Sequence, residues 1–261
     1  MSRPGPVKSR QDKPHPNAIF PDPTQGFLLV PDLGADVIRI FAVDPDFGTL
    51  TPCRPAKTGD GGGPRHGAFY QTAGNASTVL YIFNELSNTV SVWTLENPPA
   101  TDRDGCLSLT KTKTQTISTF APGTSAPSPN AKAAEVHVRD NHLYASNRDD
   151  QLLGRQQDSI AHYTIDPATG ALTWGEAANA HAWCPTTFDI NRNGTLVAVG
   201  GQATAKVVIL ERDPATGKSG EDAVAVGAAI GYGGSTNAMD GFEPPALGRV
   251  KEELVSSHIH H

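Results

Sequence analysis

The sequence predicts an all-β fold, a β-propeller of four-stranded antiparallel blades, and three observations point to it. First, one ending recurs: an alternating apolar run followed by a turn. Val37–Val43 runs into Asp44-Pro45-Asp46-Phe47-Gly48, Ser159–Ile165 into Asp166-Pro167-Ala168-Thr169-Gly170, and Lys206–Arg212 into Asp213-Pro214-Ala215-Thr216-Gly217. Asp or Pro starts each reversal and Gly supplies the positive φ. Second, two further apolar segments precede each run, so three strands and a fourth after the turn make one unit. Third, these units recur at 47 to 70 residues, counted from Asp44, Glu96, Asp166 and Asp213. Roughly 40–50 residues per four-stranded unit is the propeller period. Three such turns at one phase argue against the alternative, a β-sandwich whose hairpins are alike by accident.

Taken in order, the first unit spans 14–60 with strands at 18–20, 27–30 and 37–43. The second spans 61–125, with 67–69, 79–82 and 88–96; its strand ends in a longer, Pro-rich turn. The third spans 130–182, with 136–138, 142–145 and 159–165. The fourth spans 183–229, with 188–190, 196–199 and 206–212. Residues 121–129 form an irregular connection between the second and third units. Residues 1–13 are expected to be a polar leader and 230–261 an irregular tail, with one short helix at 250–255. Propellers typically need about four to eight blades. Wedges shaped for a larger ring do not close with four, so either further blades lie outside this chain or it associates with another copy.

Gly (26) and Pro (21) are abundant, which suits short strands and tight turns better than helices. A net charge of -6 without a long basic run argues against nucleic acid or an anionic membrane surface as partner. Cys53, Cys106 and Cys184 are far apart, odd in number and without a CxxC spacing. Neither a disulfide framework nor a zinc site is therefore expected. No apolar leader opens the sequence, so the expected location is a reducing, cytoplasmic one. No Gly-x-Ser-x-Gly elbow, Gly-Lys-[Ser/Thr] phosphate loop or Gly-His…Trp-Asp pattern occurs. The terminal His258, His260 and His261 read as a tail.

Several strings are more specific than a generic blade: Val30-Pro31-Asp32-Leu33-Gly34, Gly63-Pro64-Arg65-His66, Asn84-Glu85-Leu86-Ser87-Asn88-Thr89-Val90 and Ala145-Ser146-Asn147-Arg148. With these the chain resembles, over about residues 10 to 217, the seven-bladed propeller lactonases that include 6-phosphogluconolactonases and carboxy-cis,cis-muconate cyclases. The resemblance implies seven blades, of which four are recognisable here. It implies a site at the mouth of the central channel with a His, two Arg and a Glu. Arg65, Glu85 and Arg148 match the arginines and the acid. The histidine position is occupied by Asn17, with His15 two residues earlier, on the same face if the segment is a strand.

These residue types suit one chemistry. Arg presents a permanent planar fork to carboxylate or phosphate. Opening a lactone needs a base for water and an electrophile facing the oxyanion. The expected catalytic set is therefore His15, Glu85, Arg65 and Arg148. Asn17, His66, Arg65 and Arg148 would contact a small anionic substrate, with no metal and no cofactor. Asn17 donates hydrogen bonds but moves no proton near neutral pH. Each residue also has a structural reading. Arg65 and His15 would be loop residues beside prolines, Glu85 would solvate its turn, and Arg148 would pair with Asp149 or Asp150. Two functions follow: an enzyme that hydrolyses or forms a small anionic lactone, or an inactive propeller serving as a binding scaffold. Asn17, together with Thr186 at a place where the family often has arginine, favours the second.

Overall fold

A computed structural model describes residues 5–99 and 105–228. They form four antiparallel sheets, each made from consecutive strands. Blade 1 holds β1 (Phe20–Pro21), β2 (Phe27–Asp32), β3 (Val37–Val43), β4 (Leu50–Pro52) and β5 (Ala56–Lys57); its outer strand is split, with β4 and β5 both pairing β3. Blade 2 holds β6 (Pro64–Gln71), β7 (Thr78–Asn84), β8 (Thr89–Glu96) and β9 (Ser108–Ser118). Blade 3 holds β10 (Lys132–Arg139), β11 (His142–Arg148), β12 (Ser159–Ile165) and β13 (Leu172–Asn179). Blade 4 holds β14 (Pro185–Ile190), β15 (Leu196–Gly201), β16 (Lys206–Arg212) and β17 (Ser219–Ala228). The expected all-β architecture is present, and the three runs ahead of the Asp-Pro turns are strands with the expected bounds. The segment at 250–255 and the histidines at 258–261 lie outside the described residues.

The core is distributed between blades rather than within them. Phe27, Leu29, Ile38 and Ile40 of blade 1 meet Leu80, Ile82, Trp93 and Leu95 of blade 2. The opposite face of blade 2, with Val79, Tyr81, Phe83 and Val92, meets Val136, Leu143, Tyr163 and Ile165 of blade 3. Blade 3 then packs Tyr144 and Ile160 on Phe188, Val197, Val199 and Leu210 of blade 4. Strand β7 is covered on both faces, which is why it reads Val-Leu-Tyr-Ile-Phe without alternation. In β15 only every second residue is buried. Val207, Val224 and Val226 of blade 4 stay exposed, as does Ile19 of blade 1. Among the described residues the row of sheets does not close on itself.

Two polar devices tie neighbouring blades together. Ahead of the third strand in blades 1 to 3 stands an Asp or Asn that reaches the next blade. Asp36 accepts from the Gly61 and Gly63 amides at 2.7 and 2.8 Å. Asn88 accepts from the Ala133 amide at 2.8 Å and donates to the Ala131 carbonyl at 3.0 Å. Asp158 accepts from the Cys184 amide at 2.7 Å. The second device uses the repeated turn: Tyr81 Oη donates to the Gly170 carbonyl at 2.7 Å, and Tyr144 Oη to the Gly217 carbonyl at 2.6 Å. The turn must approach closely, because a Cβ at Gly217 would run into His142 and one at Gly170 into Val79. In blade 4 both devices are missing. Ala198 stands in the place of the tyrosine and Ala205, at φ 48°, in the place of the Asx residue.

The cysteine expectation is overturned. Cys53 and Cys106 form a disulfide with Cα atoms 5.8 Å apart, joining the outer parts of blades 1 and 2. Cys184 is free. An odd count and a separation of 53 residues hid the pairing, which exists only because two blades lie side by side. A cavity of about 380 Å³ beside this disulfide is lined by Ile40, Pro55, Cys106 and Leu107 and is remote from the arginines described below.

Two stability predictions follow from this packing. Denatured, unreduced protein is expected to titrate one thiol and reduced protein three. Cys53→Ser should lower stability by about 4 kcal/mol in the loop-entropy model. The second concerns His142 Nδ1 and His162 Nε2, buried 3.0 Å apart between blades 3 and 4. Burial first, then the charges of His142 and Arg212, push the His162 imidazole down to about 4. The unfolded chain therefore binds more protons between about pH 6.5 and 4. Stability should fall as pH drops through that window, by an amount on the order of 3 kcal/mol, and be unaffected above it. Urea unfolding of the wild type and of His162→Gln at pH 7 and pH 5 measures the difference; equal pH dependence contradicts it.

Candidate functional site

The first strands β6, β10 and β14 pack side by side along the inner edge of the row. Each begins opposite the last residue of its blade's second strand: Pro64 faces Asn84, Lys132 faces Arg148 (with Ala133 on Asn147 next) and Pro185 faces Gly201. An isolated bridge, Pro16 to Asp32, marks the same place in blade 1. Immediately afterwards each of β6, β10 and β14 carries a bulge. Arg65 is the extra residue in blade 2, Ala134 and Glu135 share one partner in blade 3, and Thr186 is the extra residue in blade 4. A bulge re-aims side chains and is common beside binding sites. Here it takes Arg65 and His66 out of strict alternation. By the same register Asn17 is the blade 1 counterpart of Arg65.

The end of each second strand completes the arrangement: Leu33, Glu85 and Gln202 directly follow β2, β7 and β15, and Arg148 is the last residue of β11. Glu85 has no exposed surface and collects three guanidinium groups. Arg65 Nη1 donates to Oε2 at 2.9 Å and Arg148 Nη2 lies 2.9 Å from the same oxygen. Arg10 Nη2 lies 2.8 Å from Oε1. Arg65 also donates to Asn17 Oδ1 at 3.3 Å. Two units of positive charge are thus left over at one point. Burial lowers the Arg148 pKa, Glu85 opposes that shift, and Arg65 and Arg10 add to it. The Nε atoms of Arg65 and Arg148 are buried and have no hydrogen-bond partner among the described residues. Two donors held this way, beside uncompensated charge, suit an anion.

Three of the expected residues, Arg65, Glu85 and Arg148, therefore come together, with Asn17 on Arg65. His15 does not join them. Its Nε2 is 3.0 Å from Asp12 Oδ1, while its backbone amide donates to Asp32 Oδ1 at 2.8 Å. No strand continues through 15–17, so the same-face argument for His15 and Asn17 has nothing to act on; instead Asn17 Nδ2 donates to the His15 carbonyl at 3.1 Å. Arg148 pairs with Glu85 and not with Asp149 or Asp150, whose carboxylates are taken by Trp183 and Ser159.

Arg10 is the residue that sequence reasoning missed. It belongs to a stretch read as polar leader, yet Gln11 beside it is buried and donates to the Leu33 carbonyl at 2.9 Å. Arg10 has no periodic or motif signal; only the anchored turn at 7–11 brings it to Glu85. A second group also emerges around His66. Its Nδ1 is 2.9 Å from Glu135 Oε1, and His137 Nε2 is 4.0 Å from the same oxygen. Desolvation would raise the Glu135 pKa, but the hydrogen bond and charge of His66 and the charge of His137 outweigh it and hold the carboxyl below its usual range. Burial lowers the His137 imidazole. Among the described residues no group of three or more His, Cys, Asp or Glu is arranged to hold a metal. None of their helices is long and apolar enough to cross a membrane.

A family model described as "Lactonase, 7-bladed beta-propeller" matches residues 1–229. The "Probable 6-phosphogluconolactonase" of Arthroderma benhamiae is 36% identical over 220 residues, which is 84% of this chain and 52% of that protein. The 6-phosphogluconolactonase of Formosa agariphila is 30% identical, covering 82% of this chain and 55% of the relative. The crystal structure of a periplasmic gluconolactonase of Pseudomonas aeruginosa superposes with a TM-score of 0.64 at 24% identity, over 83% of this chain and 55% of that one; it supports the fold alone. The chain spans about half the length of the curated relatives it matches.

The buried carboxylate makes a sharp mutational contrast. Glu85→Gln leaves three guanidinium groups without their counter-charge and should cost about 3–5 kcal/mol. Arg10→Ala removes a half-exposed partner and should cost about 1 kcal/mol or less. Urea midpoints of the two variants test this, and equal losses contradict the arrangement.

Proposed function

Because the chain belongs to the seven-bladed β-propeller lactonase family, we propose that it is a lactonase-type enzyme that hydrolyses a small anionic lactone. The observation that carries this reading is the convergence of Arg65 and Arg148 on the wholly buried Glu85, with both Nε donors unsatisfied. In this reading Glu85 fixes the two arginines. With no exposed surface, and with Oε2 already shared by two guanidiniums, it is poorly placed to activate water. Asn17 steadies Arg65. The arginines hold the phosphate or carboxylate of the substrate, and their charge offsets the oxyanion formed when water attacks the lactone carbonyl.

Relatives named 6-phosphogluconolactonase support a phosphorylated sugar lactone as substrate. A carboxymuconolactone-like substrate, and with it cyclisation, remains the second member of the same chemical class. The proposed chemistry uses no cofactor. A cytoplasmic location, the expectation from the first residues, sits against the Cys53–Cys106 disulfide, since such bonds persist chiefly in oxidising compartments.

The test is turnover by purified protein of 6-phosphogluconolactone and of carboxymuconate, alongside Arg65→Ala and Arg148→Ala. Each substitution is expected to cut kcat/KM by roughly 100-fold, mostly through KM, since a charge-assisted pair is worth about 1.5–3 kcal/mol. Arg148→Lys should recover only part, because the planar fork is lost. Turnover that neither substitution alters overturns this site. No turnover of either compound favours the scaffold reading.

A further inference from the structure

We infer that His66 is the general base of this site and that Glu135 is the positioning residue that orients it; this rests on the lactonase reading above. Five observations lead here. His66 follows Arg65 directly on the bulge of β6, where the strict alternation that would send the two side chains to opposite faces is broken. The His66 Nδ1 to Glu135 Oε1 contact of 2.9 Å crosses from blade 2 to blade 3, between first strands, at equivalent positions of the two blades. An ionised carboxylate only accepts hydrogen bonds, so Nδ1 carries the proton and Nε2 the lone pair. Nε2 has no partner among the described residues, and the side chain is 23% exposed on the inner edge of the row. Glu135 is itself held: its Oε1 also accepts from the Val136 amide at 3.1 Å, and its own amide donates to Ser146 Oγ at 3.1 Å.

This is the carboxylate–imidazole relation that hydrolases use to keep a histidine in the base-competent tautomer. The two proton-transfer candidates named from sequence are placed otherwise. Glu85 has no exposed surface and His15 is turned to Asp12. The charged groups around the pair are Arg65 in the chain, His137 at 4.0 Å from Glu135, and Asp189 of blade 4 at 3.9 Å from His137. His137 also stacks on Phe188 with centroids 4.8 Å apart.

The step balances without any further reagent. His66 Nε2 takes a proton from water as the water oxygen bonds to the lactone carbonyl carbon. The ring C–O bond then breaks, and the proton on Nε2 passes to the departing alkoxide. The products are a hydroxyl group and a carboxylic acid, which ionises to solvent.

The experiment uses the intact chain, with 6-phosphogluconolactone as probe. His66→Gln is expected to lower kcat by about 10²–10⁴-fold with KM changed far less, and to remove the acidic limb of the kcat profile. Glu135→Gln should lower kcat less, because it removes the charge that orients the imidazole while leaving the base itself in place. Should His66→Gln fold poorly, His66→Ala rescued by added imidazole replaces it. Independently of turnover, ¹⁵N spectra of the wild type should show His66 protonated at Nδ1 and the tautomer shifting in Glu135→Gln. Wild-type turnover with an unaffected His66→Gln overturns the role of His66 while leaving the lactonase reading intact. A neutral His66 protonated at Nε2 overturns it as well. A wild type that turns over neither lactone nor muconate overturns both.

Discussion

The interaction on which the rest of the molecule depends is the short Asx bridge from one blade to the next. Asp36, Asn88 and Asp158 each hold backbone amides of the following blade. The amides they hold lie one to four residues before the bulge that carries Arg65, Glu135 or Thr186. Blade packing alone is apolar and tolerates sliding; hydrogen bonds to a charged or amide acceptor are directional, and those to a charged group are worth about 1.5–3 kcal/mol each. They set the register between sheets that share no strand pairing. An error there would separate Arg65 from Glu85 or His66 from Glu135.

That register allows an arrangement that is costly by itself. A carboxylate without solvent contact, such as Glu85, is stable in a protein only when paired and fixed. Its partners arrive from three places: the turn at 7–11, the bulge of β6 and the end of β11. Their charge exceeds its own, so the surplus is available to a bound anion. The neighbouring His66–Glu135 pair is less buried and carries less charge, which is the environment a proton carrier needs. In the proposed function, holding and proton transfer are divided between two carboxylates whose surroundings differ.

The blades were legible in the sequence because their causes are local. The Asp-Pro-x-Thr-Gly turn needs an Asp that bonds its own backbone and a Gly with φ near 70°, and both are visible in one line of text. Strands β7 and β11 were legible through uninterrupted apolar runs. Arg65, Glu85 and Arg148 were legible through specific strings around them. Arg10, Glu135 and the Cys53–Cys106 bond were not. Each acts through a partner on another blade or on a non-repeating turn, and no spacing within the chain encodes that meeting. His15 misled because its position promised a strand face, whereas the segment is an irregular approach held by Asp32 and Asp12.

The sequence by itself determined a repeating β architecture, its phase and three residues of the candidate site, because periodicity and turn chemistry act over a few residues. The tertiary structure decided how those residues are placed and paired. It buried Glu85 completely, added Arg10 to it, sent His15 elsewhere and joined His66 to Glu135 across two blades. The physical reason is that burial, pairing and protonation depend on the distance between groups far apart in the chain, and that distance is set only when the sheets pack.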